Sequence, residues 1–214
     1  MNNNRCCIKR LYRARHKYDY CDQIGREDAW QVEVYLHALG LMKKNNFTSV
    51  IDIGCGSAYK LLTYLGGYET IGIEVPHTCE WLRNKYPDRK WLVTDFTMKE
   101  RISGDVIICA DVVEHLVDPD MLMTFIKGIS FKYLVMSTPD RCLLYRPWNR
   151  GYWGPPKNKS HQREWTYEEF HRYVSMFFDV IDHRVVNLAQ ATQMVICRKR
   201  EKSSKEQDFT GTLQ

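Results

Sequence analysis

At 214 residues, with 44% hydrophobic and 27% charged residues, the chain can bury the core of one soluble globular domain. A formal net charge of +5 is mild for a protein built around a nucleic acid. No apolar stretch reaches the roughly 20 residues that span a bilayer, and the opening MNNNRCCIKRLYRARHKYDY lacks the apolar centre of a secretory signal.

Residues 1–47 read as a helical lid or cap segment, with EDAWQVEVYLHALGLM as its clearer helix. Arg5, Lys9, Arg10, Arg13, Arg15 and Lys17 interleave there with Tyr12, Tyr18, Tyr20 and Trp30, a pattern that serves solubility or covers a pocket. A second basic cluster lies near the C-terminus, and residues 200–214 read as a solvated, disordered tail. The eight cysteines include no C-x-x-C pair, and Cys55, Cys109 and Cys197 sit in or beside apolar runs. They read as free thiols of a reducing, cytoplasmic compartment, without structural zinc.

From Ser49 onward, strand-like and helix-like segments alternate. SVIDIG is a β-branched run, and SAYKLLTYLG has helical spacing with Gly66 and Gly67 as its stop. YETIGIEV is followed by PHTCEWLRNKYP, with Pro76 at a helix start and Pro87 after its end. KWLVTDF and GDVIICADVV are strands, Asp118 and Pro119 are the N-cap and first residue of a helix, and KYLVMSTPD is the next strand. A Pro-, Gly- and aromatic-rich stretch then runs to Trp165. Thr166 and Glu169 form a capping box, and two strands, FDVIDHRVVNL and ATQMVICRKR, close the chain as a hairpin. Such alternation predicts an α/β fold: a Rossmann-like three-layer sandwich around a seven-stranded, mostly parallel sheet.

In such a sheet, ligands bind beyond the carboxyl ends of the strands. The first strand ends in Asp52-Ile53-Gly54-Cys55-Gly56-Ser57-Ala58, where two glycines leave bare main chain for a ligand. Glu74 ends the second strand, suited to a ribose diol, and Asp95 beside Phe96 ends the third, suited to an adenine. Tyr59 stands where a dinucleotide fingerprint has its third glycine, and Asp52 would repel a pyrophosphate while suiting an ammonium. Both features disfavour a nicotinamide-dependent reductase.

These residues together resemble the class I S-adenosylmethionine-dependent methyltransferases over roughly residues 48–199. The resemblance implies that Asp52, Gly54, Gly56, Ser57 and Ala58 meet the methionine part of the cofactor. It places Glu74 at the ribose and Asp95 and Phe96 at the adenine, with Ala110 and Asp111 also among the cofactor-binding residues. It also implies that the last strand enters antiparallel. Ala58 stands where the family often has a third glycine.

The fourth strand end reads ICADVVEHLVDP and puts Asp111, Glu114 and His115 on one face of a helical turn. Asp111-x-x-Glu114 is also a capping-box pattern, whereas His115 is a candidate general base. DVVEHL, STPD and the later His161 before EWTYEEF are similar to ubiquinone-pathway O-methyltransferases and to small-RNA 3′-end 2′-O-methyltransferases. The second likeness implies a Mg²⁺ or Mn²⁺ ion on Asp111, Glu114, His115 and His161, whereas metal-free relatives also carry Asp-x-x-Glu-His; without a metal, His115, Asp111 and His161 are the candidate catalytic residues. His161, Arg163 and Trp165 are expected on the substrate side, although Trp165 also suits a hydrophobic staple on the Thr166 helix. Tyr145, Trp148, Tyr152 and Trp153 offer a stacking floor, and Arg141, Arg146 and Arg150 an anion contact. The leading expectation is O-methylation of a small polar acceptor: a sugar, a sugar nucleotide or a hydroxylated ring. The alternatives are RNA 2′-O-methylation and a cofactor-binding module without chemistry.

Overall fold

The structure, a computed structural model, describes residues 5–15, 24, 30–97 and 101–200. Lys17, Tyr18, Tyr20 and the tail from residue 201 onward, about which the sequence raised expectations, lie outside those residues.

Strands β1 (Ser49–Ile53), β2 (Glu69–Glu74), β3 (Lys90–Val93), β4 (Val106–Ala110), β5 (Tyr133–Pro139), β6 (Phe178–Asn187) and β7 (Thr192–Lys199) form one sheet in the order β3-β2-β1-β4-β5-β7-β6. The first five are parallel, and β7 runs antiparallel to both β5 and β6. Strand order reverses between β1 and β4, so a crevice opens beyond their carboxyl ends. All five residues of β4 are buried, which is why VIICA is a continuous apolar run and not an alternating one.

Successive residues of β1 and β4 feed opposite layers. Val50, Val106 and Ile108 pack with α1 (Val32–Asn45), α2 (Tyr59–Leu65) and α3 (Pro76–Lys85) through Val34, Ala38, Leu61, Leu65 and Leu82. Ile51, Ile53 and Ile107 pack with α4 (Pro119–Gly128) and α6 (Tyr167–Ser175) through Leu122, Ile126, Phe170 and Val174. The helix starts follow their local signals. Pro76 and Pro119 sit in first turns, Asp118 accepts from the Asp120 amide, and Thr166 and Glu169 close a reciprocal capping box.

The described part of residues 1–47 does not form a separate helical cap. α1 buries Val34, Tyr35, Ala38 and Met42 and is a layer of the sandwich itself. Residues 5–15 hold turns and extended chain, and Cys6, Ile8 and Tyr12 join the α4–α6 core. Between β5 and α6 the long connection carries a short helix, α5 (Arg141–Leu144), and one 3₁₀ turn (Arg150–Trp153).

Candidate active site

Two contacts fix the glycine turn that follows β1. Gly54 sits at φ 75°, and a Cβ there would come within 2.4 Å of Val112 Cγ2. Gly56 sits at φ 55° and donates its amide to Glu74 Oε1 at 3.0 Å, while the Val75 amide donates to Glu74 Oε2 at 2.8 Å. The carboxylate at the end of β2 therefore ties the turn to its own strand. Ala58 occupies the left-handed region at φ 57° and starts α2, which accounts for the glycine preferred at that position in the resembling family.

A cavity of about 730 Å³ opens over this turn at the switch point. Gly54, Gly56, Ser57, Glu74, Phe96, Ala110 and Asp111 line it, as the resemblance implies, and Trp30, Gln31 and Tyr35 form a wall from the α1 side. Phe96 holds φ 68°, an unusual backbone for an aromatic residue, and this turns it toward the cavity.

Two expected cofactor residues sit behind the lining. Ala58 is fully buried, and Asp52 is buried with Oδ2 accepting from the Tyr35 hydroxyl at 2.9 Å. Oδ1 of Asp52 has no partner. Burial pushes its carboxyl up to about 7, against the opposing pull of the Tyr35 hydrogen bond and the Lys60 charge. Asp95 corrects an expectation. β3 ends two residues earlier, and the Asp95 carboxylate is exposed, accepting from the amide and hydroxyl of Thr97 at 2.9 and 2.5 Å. Thr94 and Phe96 line the cavity in its place.

Across the cavity from Glu74, a 3₁₀ turn (Val113–His115) carries the acid and imidazole groups. Glu114 is fully buried, with Oε2 accepting from Thr138 Oγ1 at 3.0 Å and Oε1 without a partner. Burial, then the neighbouring Asp111, drives its carboxyl well above the usual carboxylate range. His115 Nδ1 lies 3.0 Å from the Ser160 carbonyl, which can only accept, so Nδ1 carries the proton and Nε2 a lone pair. Burial, followed by the charge of His161, lowers its pKa to about 4. His161 stands edge-on to His115 with ring centroids 4.9 Å apart. Its Nδ1 is 2.8 Å from Glu164 Oε1 and its Nε2 is 2.9 Å from Asn158 Nδ2.

One ligand atom each from Glu114, His115 and His161 lie within 4.8 Å of one another, the one such grouping among the described residues. Asp111 does not join it. Its Oδ1 accepts from Ser137 Oγ at 2.6 Å, and its backbone, at φ 52°, is not an N-cap; Val112 precedes the 3₁₀ turn. Burial raises the Asp111 carboxyl. Two partnerless buried carboxylate oxygens, Glu114 Oε1 and Glu164 Oε2, face a site rich in O and N donors. One carboxylate and two imidazoles, without a thiolate, form a donor set that fits a divalent metal ion, Mn²⁺ among them.

The expected substrate side is only partly there. Tyr145 and His161 line the cavity, but Arg163, Trp165, Tyr152, Trp153 and Arg146 do not. Arg163 is buried, donating to the Val117 carbonyl at 2.6 Å and to Cys6 Sγ at 3.1 Å. Trp165 is the staple: it contacts Phe170 at 6.0 Å, stacks on Tyr173 at 5.4 Å and donates to the Cys6 carbonyl at 2.8 Å. Arg141 is buried in an ion pair with Glu169 at 2.7 Å, its guanidinium over the Tyr12 and Tyr152 rings. Trp153 packs edge-on against Tyr152, Trp148 is 84% exposed, and Arg146 and Arg150 are exposed. Asn158 and Glu164 were missed, although Glu164, three residues after His161 in HQREW, was the readable signal for an imidazole partner.

No protein-family model matches the chain, and no curated protein does either. Among solved structures, the methyltransferase domain of bacterial CtHen1 shares 20% identity, covers 78% of this chain and 97% of its own, and gives a TM-score of 0.58. The magnesium protoporphyrin IX methyltransferase of Synechocystis PCC 6803, solved with S-adenosylhomocysteine, gives 12%, 82%, 90% and 0.61. An S-adenosylmethionine-dependent methyltransferase of Clostridium acetobutylicum ATCC 824 gives 13%, 80%, 93% and 0.60. At these identities the likeness establishes architecture: the chain has the Rossmann-like fold of the class I S-adenosylmethionine-dependent methyltransferases.

Proposed function

We propose that the chain is an S-adenosylmethionine-dependent methyltransferase that methylates a hydroxyl of a small polar acceptor, at a site served by Mg²⁺ or Mn²⁺. One observation carries this reading: a single cavity joins the glycine turn braced by Glu74 to the cluster of Glu114, His115 and His161. When bound, the cofactor supplies a methyl group on a sulfonium, a leaving group good enough that the protein's work is alignment, proton removal and exclusion of water. When bound, the ion supplies Lewis acidity that makes a hydroxyl easier to ionise.

The chain's own residues supply the rest. Gly54, Gly56 and Ser57 present main chain to the methionine part, and Asp52, reached through Tyr35, offers negative charge to its ammonium. Glu74 offers its carboxylate to the ribose hydroxyls, and Phe96 covers the adenine. Asp111, held by Ser137, flanks the sulfonium. Glu114, His115 and His161 would hold the ion, His115 through its Nε2 lone pair, and the ion would make the acceptor hydroxyl easier to ionise. Leu144, Tyr145 and Pro139 give the acceptor an apolar wall. The trio holds three of the four ligands implied by the resemblance to small-RNA methyltransferases, all but Asp111, so an RNA 3′ end is the second acceptor class. The seven described cysteines are free, no described helix is long and apolar enough to cross a membrane, and we assign the chain to the cytoplasm.

A methyl-labelled donor offered with sugars, sugar nucleotides, hydroxylated aromatics and RNA oligonucleotides tests the assignment. Each assay runs with chelator and again after Mn²⁺ or Mg²⁺ is restored. Transfer to a small hydroxyl acceptor, lost with chelator and regained with the ion, is expected. Chelator-resistant transfer removes the metal, and transfer to RNA alone moves the acceptor. Donor binding without any transfer leaves a module that has lost its chemistry.

A further inference from the structure

We infer that Glu164 is a positioning residue: it fixes His161 in the Nδ1–H tautomer and so presents the Nε2 lone pair to a divalent cation, with the Asn158 amide as the group that the cation displaces. This rests on the metal site proposed above.

Every contact around His161 points the same way. Glu164 Oε1 is 2.8 Å from Nδ1, and an ionised carboxylate only accepts, so Nδ1 must donate. Asn158 Oδ1 already accepts from the Ser160 amide at 3.1 Å and from the Ser160 hydroxyl at 2.8 Å. That fixes the orientation of the amide, so Nδ2 is the atom facing His161 Nε2 at 2.9 Å, and Nε2 must accept. Both ends of the ring therefore demand one tautomer.

Glu164 is also held too firmly to be a bystander. It is fully buried, its amide donates to the Tyr12 hydroxyl at 3.0 Å, and its carbonyl accepts from Arg141 Nη1 at 2.7 Å. A carboxylate anchored in this way behind an imidazole raises the basicity of the other ring nitrogen and restricts ring rotation. Asn158 differs from it in one respect that matters. It lies on an exposed loop at the cavity wall, so its amide can swing into water and leave Nε2 to the ion. His161 then joins Glu114, whose Oε1 has no other partner, and His115.

The test combines Mn²⁺ titration followed by electron paramagnetic resonance with nitrogen NMR of the histidine tautomers in the metal-free chain. Native protein, H161A, E164A, E164Q, N158A and E164A/N158A are compared. The native chain should bind Mn²⁺ and show His161 as Nδ1–H, and H161A should weaken binding strongly. E164A should lose about 10- to 100-fold in Mn²⁺ affinity, and the double variant E164A/N158A, which also lacks the Asn158 donor, should shift His161 toward Nε2–H. E164Q keeps an acceptor oxygen, so it should retain the tautomer while losing affinity toward the lower end of that range; it decides the matter if E164A does not fold. N158A should bind Mn²⁺ at least as tightly as the native chain. Native-like Mn²⁺ affinity in E164A or E164Q, or a native tautomer in E164A/N158A, overturns the role of Glu164, provided H161A is weakened. A native chain that ignores Mn²⁺ overturns the metal site itself, a result plainly distinct from the first.

Discussion

Ala58 holds a left-handed backbone at φ 57° although it carries a Cβ. Such a conformation costs an L-residue about 1 kcal/mol or more, and glycine would be free of that cost. Ala58→Gly should raise stability by roughly 0.5–1 kcal/mol, read as a higher denaturant midpoint at unchanged slope. Asp52 argues the pH dependence. Its folded pKa of about 7 lies above the ordinary 3.8 because burial favours the neutral form. Its contribution to stability is therefore complete below about pH 4 and is lost as pH rises through 7. Relative to Asp52→Asn, the native chain should lose about 1.4 kcal/mol per pH unit across that window, measured by denaturation at several pH values. Affinity for a cationic donor should move the opposite way, falling as pH drops below 7, and should be flat in the variant.

At the scale of elements, local signals were readable and distant ones were not. The proline starts of α3 and α4 and the Thr166 capping box follow from neighbours a few residues apart. Trp165, Arg163 and Arg141 looked like ligands of a substrate because their partners lie far away in sequence: Cys6, at the other end of the chain, holds both Trp165 and Arg163. The Arg141–Glu169 pair fastens α5 to α6, with both side chains 1% exposed. Glu169→Ala would strand a buried guanidinium and open the Thr166 cap, so it should cost about 3–5 kcal/mol in equilibrium unfolding. Asp111 shows the same limit from another side. Its spacing to Glu114 suited a helical turn, but the left-handed backbone at Asp111 sends its carboxylate to Ser137 and away from the His115–His161 pair.

Across the whole molecule, the sheet order sets the site and the chain's opening segment supports it. The donor half of the cavity comes from the ends of β1, β2 and β4: Gly54, Gly56, Ser57, Glu74, Ala110 and Asp111 line it, whereas Asp95 does not and Asp52 and Ala58 sit behind the lining. The acceptor half comes from the connection before α6, backed by residues 5–15: the Arg15 amide donates to the Gln162 carbonyl at 2.6 Å and the Arg13 amide to the Trp153 carbonyl at 2.8 Å. No periodicity announces such long-range bracing, so the helical cap expected there was replaced by a strap behind His161. Glu74 stands where both halves meet the donor, since it braces Gly56 and faces the cavity. Calorimetric titration of S-adenosylmethionine and its demethylated product into the native chain and Glu74→Ala reads that role directly. Both ligands should bind the native chain, and the variant, with its melting temperature preserved, should bind at least about tenfold more weakly, the loss of one charge-assisted contact to the ribose. Folded native protein that takes up neither ligand, or a variant that binds both as well as the native chain, would contradict the assignment.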